Sequence, residues 1–392
     1  MSSNEIIKIF RKGKDKLNLA WSRPEVLLNN RLEKDVQKMF FPLYYPLYLL
    51  FSSKYTIKDN FITPNGSICT GLSFFSVCFT IVVCFYYMYF SETSVDYKNT
   101  HSDSIVLLSV FFSYFFYSIG MLTTFAVIVV QSQNNILLVV MIQIIHKSID
   151  LSKSIRSYIK WNRISVLIYI GVNMFIWVSY HFMYMCSFSE FPILIRNCML
   201  TKFDMDCIYG IRVVALLTKY LSEWIKTILK LDAEQENHTC CVKLLKIYQN
   251  ILEAYDIYKS IFQFLLVSQF TIDKHILTNL FLQQIEYMQS PLMGLAIGLW
   301  ITKDILLVFI HSLQCEKFYI TVEDAETACL QLMKNKNCPN DQVRLCKEVL
   351  QTNRTFSKMT ACGLFFVDAM LPIRLMALLT GYVIVLLQIA FL

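Results

Sequence analysis

The chain has 392 residues, of which 55% are hydrophobic and 17% are charged, and its formal net charge is +7. A soluble domain carries roughly 25% charged residues, so this composition argues against a soluble globule and favours a polytopic membrane protein. The stretch MSSNEIIKIFRKGKDKLNLAW at the start is basic and polar with no apolar region behind it, which argues against a cleavable signal peptide.

Residues 1–66 are predicted to form a cytoplasmic arm. Within it, Met39–Phe51 is too short to cross a membrane and contains two prolines, which is typical of a helix that lies in the interface or re-enters it. Apolar runs of about 20 residues then predict seven membrane-spanning helices. They are Ser67–Phe90, Ser104–Val130, Ile164–Phe188, Ile208–Leu231, Ile257–Tyr287, Pro291–His311 and Met370–Leu392.

These spans divide the chain into four helices within 67–231, two within 257–311 and a last helix within 364–392. Residues 232–256 place apolar side chains at helical spacing, and residues 312–363 resemble two polar helices around a proline. We expect these inner segments to extend the spans below the membrane and to pack together as cytoplasmic anchor helices. The predicted fold class is an all-α membrane protein with seven transmembrane helices.

The positions of lysine and arginine predict the orientation. Eleven of them precede the first span, the first loop has only Lys98, and the basic and less basic loops alternate from there on. This pattern predicts a cytoplasmic N-terminus and an extracellular C-terminus, which is opposite to a G-protein-coupled receptor. The glycosylation sequons at Asn65, Asn237 and Asn353 all fall on the cytoplasmic side in this orientation, where they would stay bare.

The sequence shows no pattern that indicates an enzyme. Its 13 cysteines form no CxxC pair and none has a spacing suited to zinc. No nucleotide-binding or hydrolase motif appears, so we expect no catalytic residues, metal, cofactor or nucleic-acid partner. Cys240 and Cys241 follow a predicted span, where reduced thiols and palmitoylation are alternatives, the thiols being favoured.

Ionisable residues interrupt the fifth and sixth spans at Asp273, Lys274, Lys303 and Asp304. Such groups either pair between the two helices or lie where both helices continue into water. The second interpretation is favoured here. In the last span, Arg374 is predicted to pair with Asp368.

One amide, Gln388, lies in the last span close to its end. An amide in hydrocarbon is costly unless it is hydrogen-bonded. On a helix Gly381, Val385, Gln388 and Leu392 form one stripe. The stripe faces either water or a neighbouring helix to which Gln388 bonds, and both alternatives stay open.

The C-terminal stretch FSKMTACGLFFVDAMLPIRLMALLTGYVIVLLQIAF resembles the signature of insect gustatory receptors, FTACGLFxLD followed by TYhhhhhQF. Thr360, Ala361, Cys362, Gly363, Phe365 and Asp368 match its first part, and Tyr382 and Gln388 keep the spacing of its second part. Gly381 stands where Thr is usual, Thr380 lies one place early, and Ile389 replaces the final Phe. The rest of the chain resembles the family in layout alone.

The resemblance implies a homotetrameric or heterotetrameric cation channel that a tastant opens. It implies that the last helices of four subunits line one pore, that Gln388 forms a ring in water, and that Val385 and Ile389 form the constriction, with Gly381 and Tyr382 beside them. It also implies permeation by sodium, potassium and calcium, contact with membrane lipid, and a multi-pass location in the plasma membrane of a gustatory neuron dendrite.

The family's pocket lies in the outer halves of the second to sixth spans. Aromatic residues recur at helical spacing at the outer end of the third span, which is typical of core or interfacial residues as well as of a ligand surface. Few carboxylates accompany them, which favours a bulky bitter compound over a sugar. The candidate ligand residues are Trp177, Tyr180, His181, Tyr184, Tyr209, Arg212, Gln283, Gln284 and Trp300.

Three other functions compete with a bitter-type gustatory receptor. A sugar-type receptor of the same family differs only in its ligand, and an odorant receptor subunit belongs to the sister family, against which the C-terminal signature argues. A secondary transporter predicts internal repeats with paired broken helices, and no such pairing occurs in the sequence.

Overall fold

The computed structural model describes residues 30–94, 101–149, 151–183, 191–231, 238–287, 291–334 and 338–391. These ranges are mainly helical, because an apolar segment satisfies its backbone hydrogen bonds internally as a helix. The helices are α1 (Lys34–Leu49), α2 (Ser67–Ser94), α3 (His101–Val130), α4 (Ser132–Ser148), α5 (Ser152–Met183), α6 (Phe191–Ile228), α7 (His238–Tyr287), α8 (Pro291–Lys334), α9 (Asn340–Arg354) and α10 (Leu371–Phe391). The strands are β1 (Thr56–Lys58) and β2 (Phe61–Thr63).

Residues 34–63 form a wedge that consists of α1, a turn and the β1–β2 hairpin. Helix α1 packs against α5 and α6 through one apolar face, although two prolines lie inside it. It begins at Lys34, earlier than the interfacial or re-entrant helix predicted from Met39 to Phe51. The buried residues of this face are Val36, Met39, Phe40, Leu43 and Leu47.

A tight antiparallel hairpin closes the wedge. Ile57 pairs with Ile62, and the two turn residues Asp59 and Asn60 have φ angles of 52° and 66°. Asp and Asn tolerate this left-handed conformation better than other side chains, so they suit a two-residue hairpin turn. The chain therefore reverses here and enters α2 close to where the wedge began.

Helices α3 and α4 are two arms of one bent element. They meet at Gln131 with an angle of 63°, and the Asn135 side chain donates 2.9 Å to the Gln131 carbonyl at the bend. Helix α4 then holds the wedge through Gln143, whose amide donates 2.8 Å to the Arg31 carbonyl and accepts 2.9 Å from the Glu33 N–H. The bend thus brings a buried amide to the start of α1.

Two helices are much longer than the spans predicted from the sequence. Helix α7 has 50 residues and unites the predicted inner helix 232–256 with the predicted span Ile257–Tyr287. Helix α8 has 44 residues and continues from the predicted span Pro291–His311 into the region 312–334. The interiors of both lack proline, and a helix keeps the same backbone bonds on either side of a membrane surface, so the change of solvent produces no break.

Three helices of the described ranges are long and apolar enough to cross a membrane, and the bent pair brings the number to four if it counts as one span. The three segments are Ser67–Tyr86, Ser154–Ser179 and Gly298–Lys334. The protein therefore has the helices of a multi-pass membrane protein. The seven spans and the orientation of the termini remain predictions.

The chain between α9 and α10, residues 355–370, forms a turn-rich C-terminal link. Residues 364–370 were predicted as part of the last helix, but that helix begins at Leu371. Cys362 and Gly363 have φ angles of 50° and 77°, which no helix accommodates. The Ala361 N–H donates 2.9 Å to the Phe365 carbonyl, so the TACGLF motif is a tight reversal between two helices.

The main hydrophobic core occupies the inner part of the bundle, where α6, α7, α8 and α9 meet. Trp224 of α6 is fully buried and donates 2.8 Å to the Leu244 carbonyl of α7. Gly210 permits the close approach of α6 to α7, since a Cβ there would lie 2.8 Å from the Phe262 ring. A second, smaller cluster lies between α2, α3 and α6.

Candidate functional site

A group of charged side chains lies between α5, α6 and α8, and we call it the Lys303 cluster. It consists of Tyr169, Asp204, Lys303 and Asp304, with Trp300 beside them. The Lys303 ammonium hydrogen-bonds Asp204 Oδ2 and lies 2.9 Å from Asp304 Oδ1. The Tyr169 hydroxyl donates to Asp204 Oδ2 at 3.0 Å. Side chains from α5, α6 and α8 therefore meet at this ionic contact.

The Lys303 cluster is almost fully removed from solvent. The side chains of Lys303, Asp204 and Asp304 are 12%, 8% and 6% exposed. This corrects the interpretation that Lys303 and Asp304 lie where the sixth span continues into water. They pair with Asp204 of α6, which lies ahead of the fourth predicted span Ile208–Leu231 because that helix begins earlier, at Phe191. The side chains of Asp273 and Lys274, the other half of the prediction, lie outside the described part of the chain.

Aromatic rings border the Lys303 cluster. The ammonium lies 5.8 Å from the ring centroids of both Tyr169 and Trp300, a distance at which the ring faces attract a cation. Trp300 also packs against the second apolar cluster, which is centred on Tyr117, Met121 and Phe203. The site therefore combines a charged end with an apolar wall, as small-molecule sites in helical bundles do.

The structure describes only some of the predicted ligand residues. Trp300 borders the Lys303 cluster and Trp177 is half-buried on α5. The side chains of Tyr180, His181, Gln283 and Gln284, and the whole of Tyr184, lie outside the described residues. The face of α5 that turns to the bundle carries Asn162, Tyr169 and Asn173, all buried. The ligand role of the residues that the sequence predicted stays a prediction.

Tyr209 and Arg212 lie at the wedge and make their described contacts there. The Tyr209 ring lies 6.1 Å from that of Phe40 on α1. Arg212 donates to Asn162 Oδ1, and the Asn162 amide in turn donates 2.8 Å to the Met39 carbonyl. The structure thus places these two predicted ligand residues in the anchoring of α1, separately from Trp300.

A second buried ion pair fixes the far end of the wedge. Lys54 Nζ lies 2.8 Å from Asp206 Oδ1, and the two side chains are 1% and 3% exposed. The contact lacks hydrogen-bond geometry, and neither Asp206 oxygen makes a hydrogen bond within the described residues. Burial raises the pKa of the neighbouring Tyr55, so its hydroxyl stays protonated 3.4 Å from that of Tyr209.

The predicted pore helix α10 packs on α7 and α8, and most of those of its side chains that the structure describes are exposed in the single chain. Ile373, Leu378 and Ile384 are half or more exposed, and Gln388 is also exposed. The side chains of Tyr382, Val385 and Ile389 are outside the described part, and a Cβ at Gly381 would meet nothing within 4 Å. As predicted, Arg374 pairs with Asp368, at 3.9 Å.

Tyr319 of α8 holds the C-terminal link to the bundle. Its hydroxyl accepts hydrogen bonds from the Met359 N–H at 3.0 Å and the Tyr255 hydroxyl at 3.1 Å, and it donates to the Val367 carbonyl at 3.1 Å. The Tyr319 hydroxyl therefore binds two separate parts of the link, at Met359 and at Val367. Lys303 and Tyr319 lie on the same helix, so α8 contacts both the Lys303 cluster and the C-terminal link.

In the residues that the structure describes, no three histidine, cysteine or acidic side chains are grouped as metal ligands. The described cysteines are free thiols, and Cys241 is buried while Cys240 is half-buried. The structure does not test whether either is palmitoylated.

Sequence reasoning missed Tyr169, Asp204, Lys54 and Asp206. A signal for two of them existed, because the segment FDMDCIYGIRVV places both acidic residues just before a long apolar stretch. An ionisable group inside or beside a span is a functional candidate that calls for a named partner. The partners came from α8 and from the wedge, and only the tertiary structure identifies them.

No family model and no curated protein matches the sequence. The chain does match a solved structure, the insect olfactory receptor OR5 from Machilis hrabei, with a TM-score of 0.64 at 10% identity, over 90% of this chain and 98% of that one. A second structure of the same receptor, in complex with eugenol, matches with a TM-score of 0.63 at 10% identity, over 93% and 99% of the two chains. The chain thus has the fold of an insect chemoreceptor.

Proposed function

We propose that the protein is a chemoreceptor channel in which a small molecule, bound in the outer part of the helical bundle, opens a non-selective cation pore. The observation that carries the proposal is α10, an apolar helix most of whose described side chains are exposed, Gln388 among them. A membrane helix with an exposed amide requires water or another chain beside it. Four copies around an axis supply both.

The likeness in fold to a receptor solved with eugenol supports a small-molecule ligand. The C-terminal signature supports the gustatory branch, and the aromatic wall at Trp300 favours a bulky bitter compound over a sugar. The fold likeness favours an odorant receptor subunit as the second candidate. Expression of this chain without a common co-subunit distinguishes the two candidates. A gustatory receptor, in the plasma membrane of a taste neuron, is expected to carry ligand-gated current under that condition.

Replacement of Gln388 by glutamate is expected to change ion permeation and to leave ligand affinity unaltered. Four carboxylates around an axis attract cations and hold divalent ions more tightly, so block by calcium should strengthen. The measurement is reversal potential and calcium block in cells that express the variant. The matched control is Met376→Gln, which adds an amide to another exposed face of α10. It should leave both quantities as in the wild type.

Two outcomes separate this proposal from the packing alternative. If Gln388 only bonds a neighbouring helix, the glutamate variant misassembles, and surface protein falls while the ion preference of the remaining channels is unchanged. Identical permeability ratios and identical calcium block in wild type and variant remove Gln388 from the pore.

We also propose that the N-terminus is cytoplasmic and the C-terminus extracellular. An antibody should reach an N-terminal tag only after permeabilisation, and a tag placed after Leu392 on intact cells, because basic residues concentrate on the N-terminal side. The sequon residues Asn65 and Asn353 already use their amide nitrogens, which donate to the carbonyls of Ser53 and Val322. A glycan found on Asn237 or Asn353 in the native protein would contradict this orientation, because only luminal loops are glycosylated.

A further inference from the structure

We propose that three basic side chains at the inner end of the bundle bind the headgroup of an inositol phospholipid that carries phosphate monoesters. Arg212 and Lys219 lie on one face of α6, and Lys317 of α8 acts electrostatically on Lys219, as Arg212 does. We call these three residues the basic cluster. This lipid site is separate from the ligand site of the proposed channel, and the proposed orientation decides only which leaflet supplies the lipid.

The ring of Tyr158 on α5 lies against two of the three cations. Its centroid is 4.8 Å from Arg212 Cζ and 5.4 Å from Lys219 Nζ. The ring is buried, and its hydroxyl donates 2.7 Å to the Arg212 carbonyl, which fixes its position. Arg212 also donates to Asn162 Oδ1, an uncharged acceptor. The aromatic ring attracts each cation but does not cancel the repulsion between them, which an anion bound beside both removes.

No carboxylate of the described residues forms an ion pair with the basic cluster. The acidic residue nearest to the cluster in the sequence of α6 is Glu223, which pairs with Lys226 at 2.8 Å. In the sequence of α8 it is Glu316, which pairs with Lys358 at 3.5 Å. The described part of the protein therefore leaves the three positive charges of the cluster uncompensated, which favours an anionic ligand.

The basic cluster is open to its surroundings. Arg212 and Lys219 are half-buried and Lys317 is exposed, so water keeps all three protonated and a headgroup reaches them without an enclosed cavity. On α5, Trp161 lies one turn after Tyr158 and is 55% exposed. Tryptophan is enriched at the level of lipid headgroups, so the cluster lies at the depth where phospholipids carry their phosphates.

Exposed apolar side chains lead from the membrane to the basic cluster. Leu306 and Leu313 of α8 are 51% and 40% exposed, and their spacing places them on the same face of the helix as Lys317. Lys317 itself lies beyond His311, the predicted inner end of the sixth span. A phospholipid therefore lays its acyl chains along the two leucines and brings its headgroup to the lysine.

The charge of the basic cluster decides between headgroups. A phosphate monoester carries a charge of about −1.5 to −2 at neutral pH and three acceptor oxygens, so two of them on one inositol ring match three cations. The single net charge of phosphatidylserine leaves most of the positive charge uncompensated. A guanidinium also binds phosphate oxygens in pairs, and basic pockets between membrane helices on the cytoplasmic side suit phosphorylated inositol headgroups.

The test measures equilibrium binding of dioctanoyl phosphatidylinositol 4,5-bisphosphate to the purified full chain in phosphatidylcholine nanodiscs, without any current. Saturable binding is expected in the wild type. Lys317→Gln and Lys219→Met should each weaken it about fivefold and the double variant about thirtyfold, since each removes one cation at the membrane surface. The matched control is Lys226→Gln, a more exposed lysine of the same helix that already pairs with Glu223. It should bind as the wild type does.

Two further ligands identify the source of the phosphate. Dioctanoyl phosphatidylserine has the same acyl chains with one net charge, and inositol 1,4,5-trisphosphate has the phosphates without the chains, so both should bind at least about tenfold more weakly. Equal affinity for phosphatidylserine overturns the phosphate-monoester headgroup, and equal affinity for inositol trisphosphate overturns the lipid.

Absence of saturable binding by the bisphosphate lipid overturns the site itself, and so does binding that the double variant retains in full. If Lys219→Met does not fold, as judged by size-exclusion chromatography, Lys317→Gln still decides, because its position is exposed. Binding that the variants lose, in a chain that carries no current, supports the lipid site and contradicts the channel. Ligand-gated current in a chain without such binding does the reverse.

Discussion

Replacement of Lys54 by methionine is expected to destabilise the folded protein by about 3–5 kcal/mol, because it removes the ammonium that contacts the buried Asp206 carboxylate. The two side chains are 1% and 3% exposed at a separation of 2.8 Å, so water does not replace the lost ammonium. Lys54 Nζ also lies 5.8 and 5.7 Å from the ring centroids of Tyr209 and Phe262, and these contacts disappear with it. The thermal midpoint and the surface expression of the variant measure the effect.

The chain provides a matched control on the same wedge. Lys38 and Asp35 form a pair at 3.4 Å in which both side chains are 60% exposed. Lys38→Met should therefore change the stability by less than about 1 kcal/mol. The double variant Lys54→Met with Asp206→Leu removes both charges of the pair and should recover part of the loss, the rest being the interaction that the buried Lys202 loses with Asp206. If Lys54→Met is as mild as Lys38→Met, the buried pair does not hold the wedge.

Replacement of Tyr319 by phenylalanine is the second change with a large expected effect. It removes the oxygen that binds both ends of the C-terminal link, and it leaves the Met359 N–H and the Tyr255 hydroxyl buried without their partner. Each of the two groups costs about 1–3 kcal/mol, so a loss of roughly 2–6 kcal/mol follows. The link joins the inner helices to α10, so current at saturating ligand should fall as well. Thermal midpoint and current per surface channel are the two measurements.

Two other tyrosines calibrate this result. Tyr255→Phe removes one donor and leaves no backbone group unpaired, so it should cost less than about 1.5 kcal/mol. Tyr45→Phe changes an exposed hydroxyl on α1 and should have no measurable effect. A Tyr319→Phe variant that is as stable and as active as Tyr255→Phe would show that the link does not depend on this hydroxyl.

Much of the helical framework was predictable from the sequence. Predicted spans begin at Ser67 and Pro291 and end at Val130 and Tyr287, where α2, α8, α3 and α7 do. Such ends are accurate because apolar runs stop at polar loops and at a proline that favours the first helical turn. The ends that lie in the inner region were not predictable, since α7 and α8 pass from apolar to polar sequence without any change in backbone conformation.

The candidate site was far less predictable. Its ionic contacts join residues about 100 positions apart, such as Asp204 with Lys303, and no local spacing relates them. Residues 364–370 of the C-terminal link were assigned to the last helix because the family signature that they resemble belongs to that helix. Cys362 and Gly363 nevertheless adopt left-handed backbone angles there, and Tyr319 stabilises this conformation from a helix that lies far away in sequence.

The uninterrupted length of α7 has a mechanical consequence. Its 50 residues correspond to about 75 Å, more than twice the roughly 30 Å of a membrane's hydrocarbon layer. Because α7 contains no proline, we expect it to tilt as one rod about the region where the other helices pack against it. A tilt of about 5° about the midpoint moves the two ends by about 3 Å in opposite directions. A small displacement at one end of α7 therefore reaches the other end with equal amplitude.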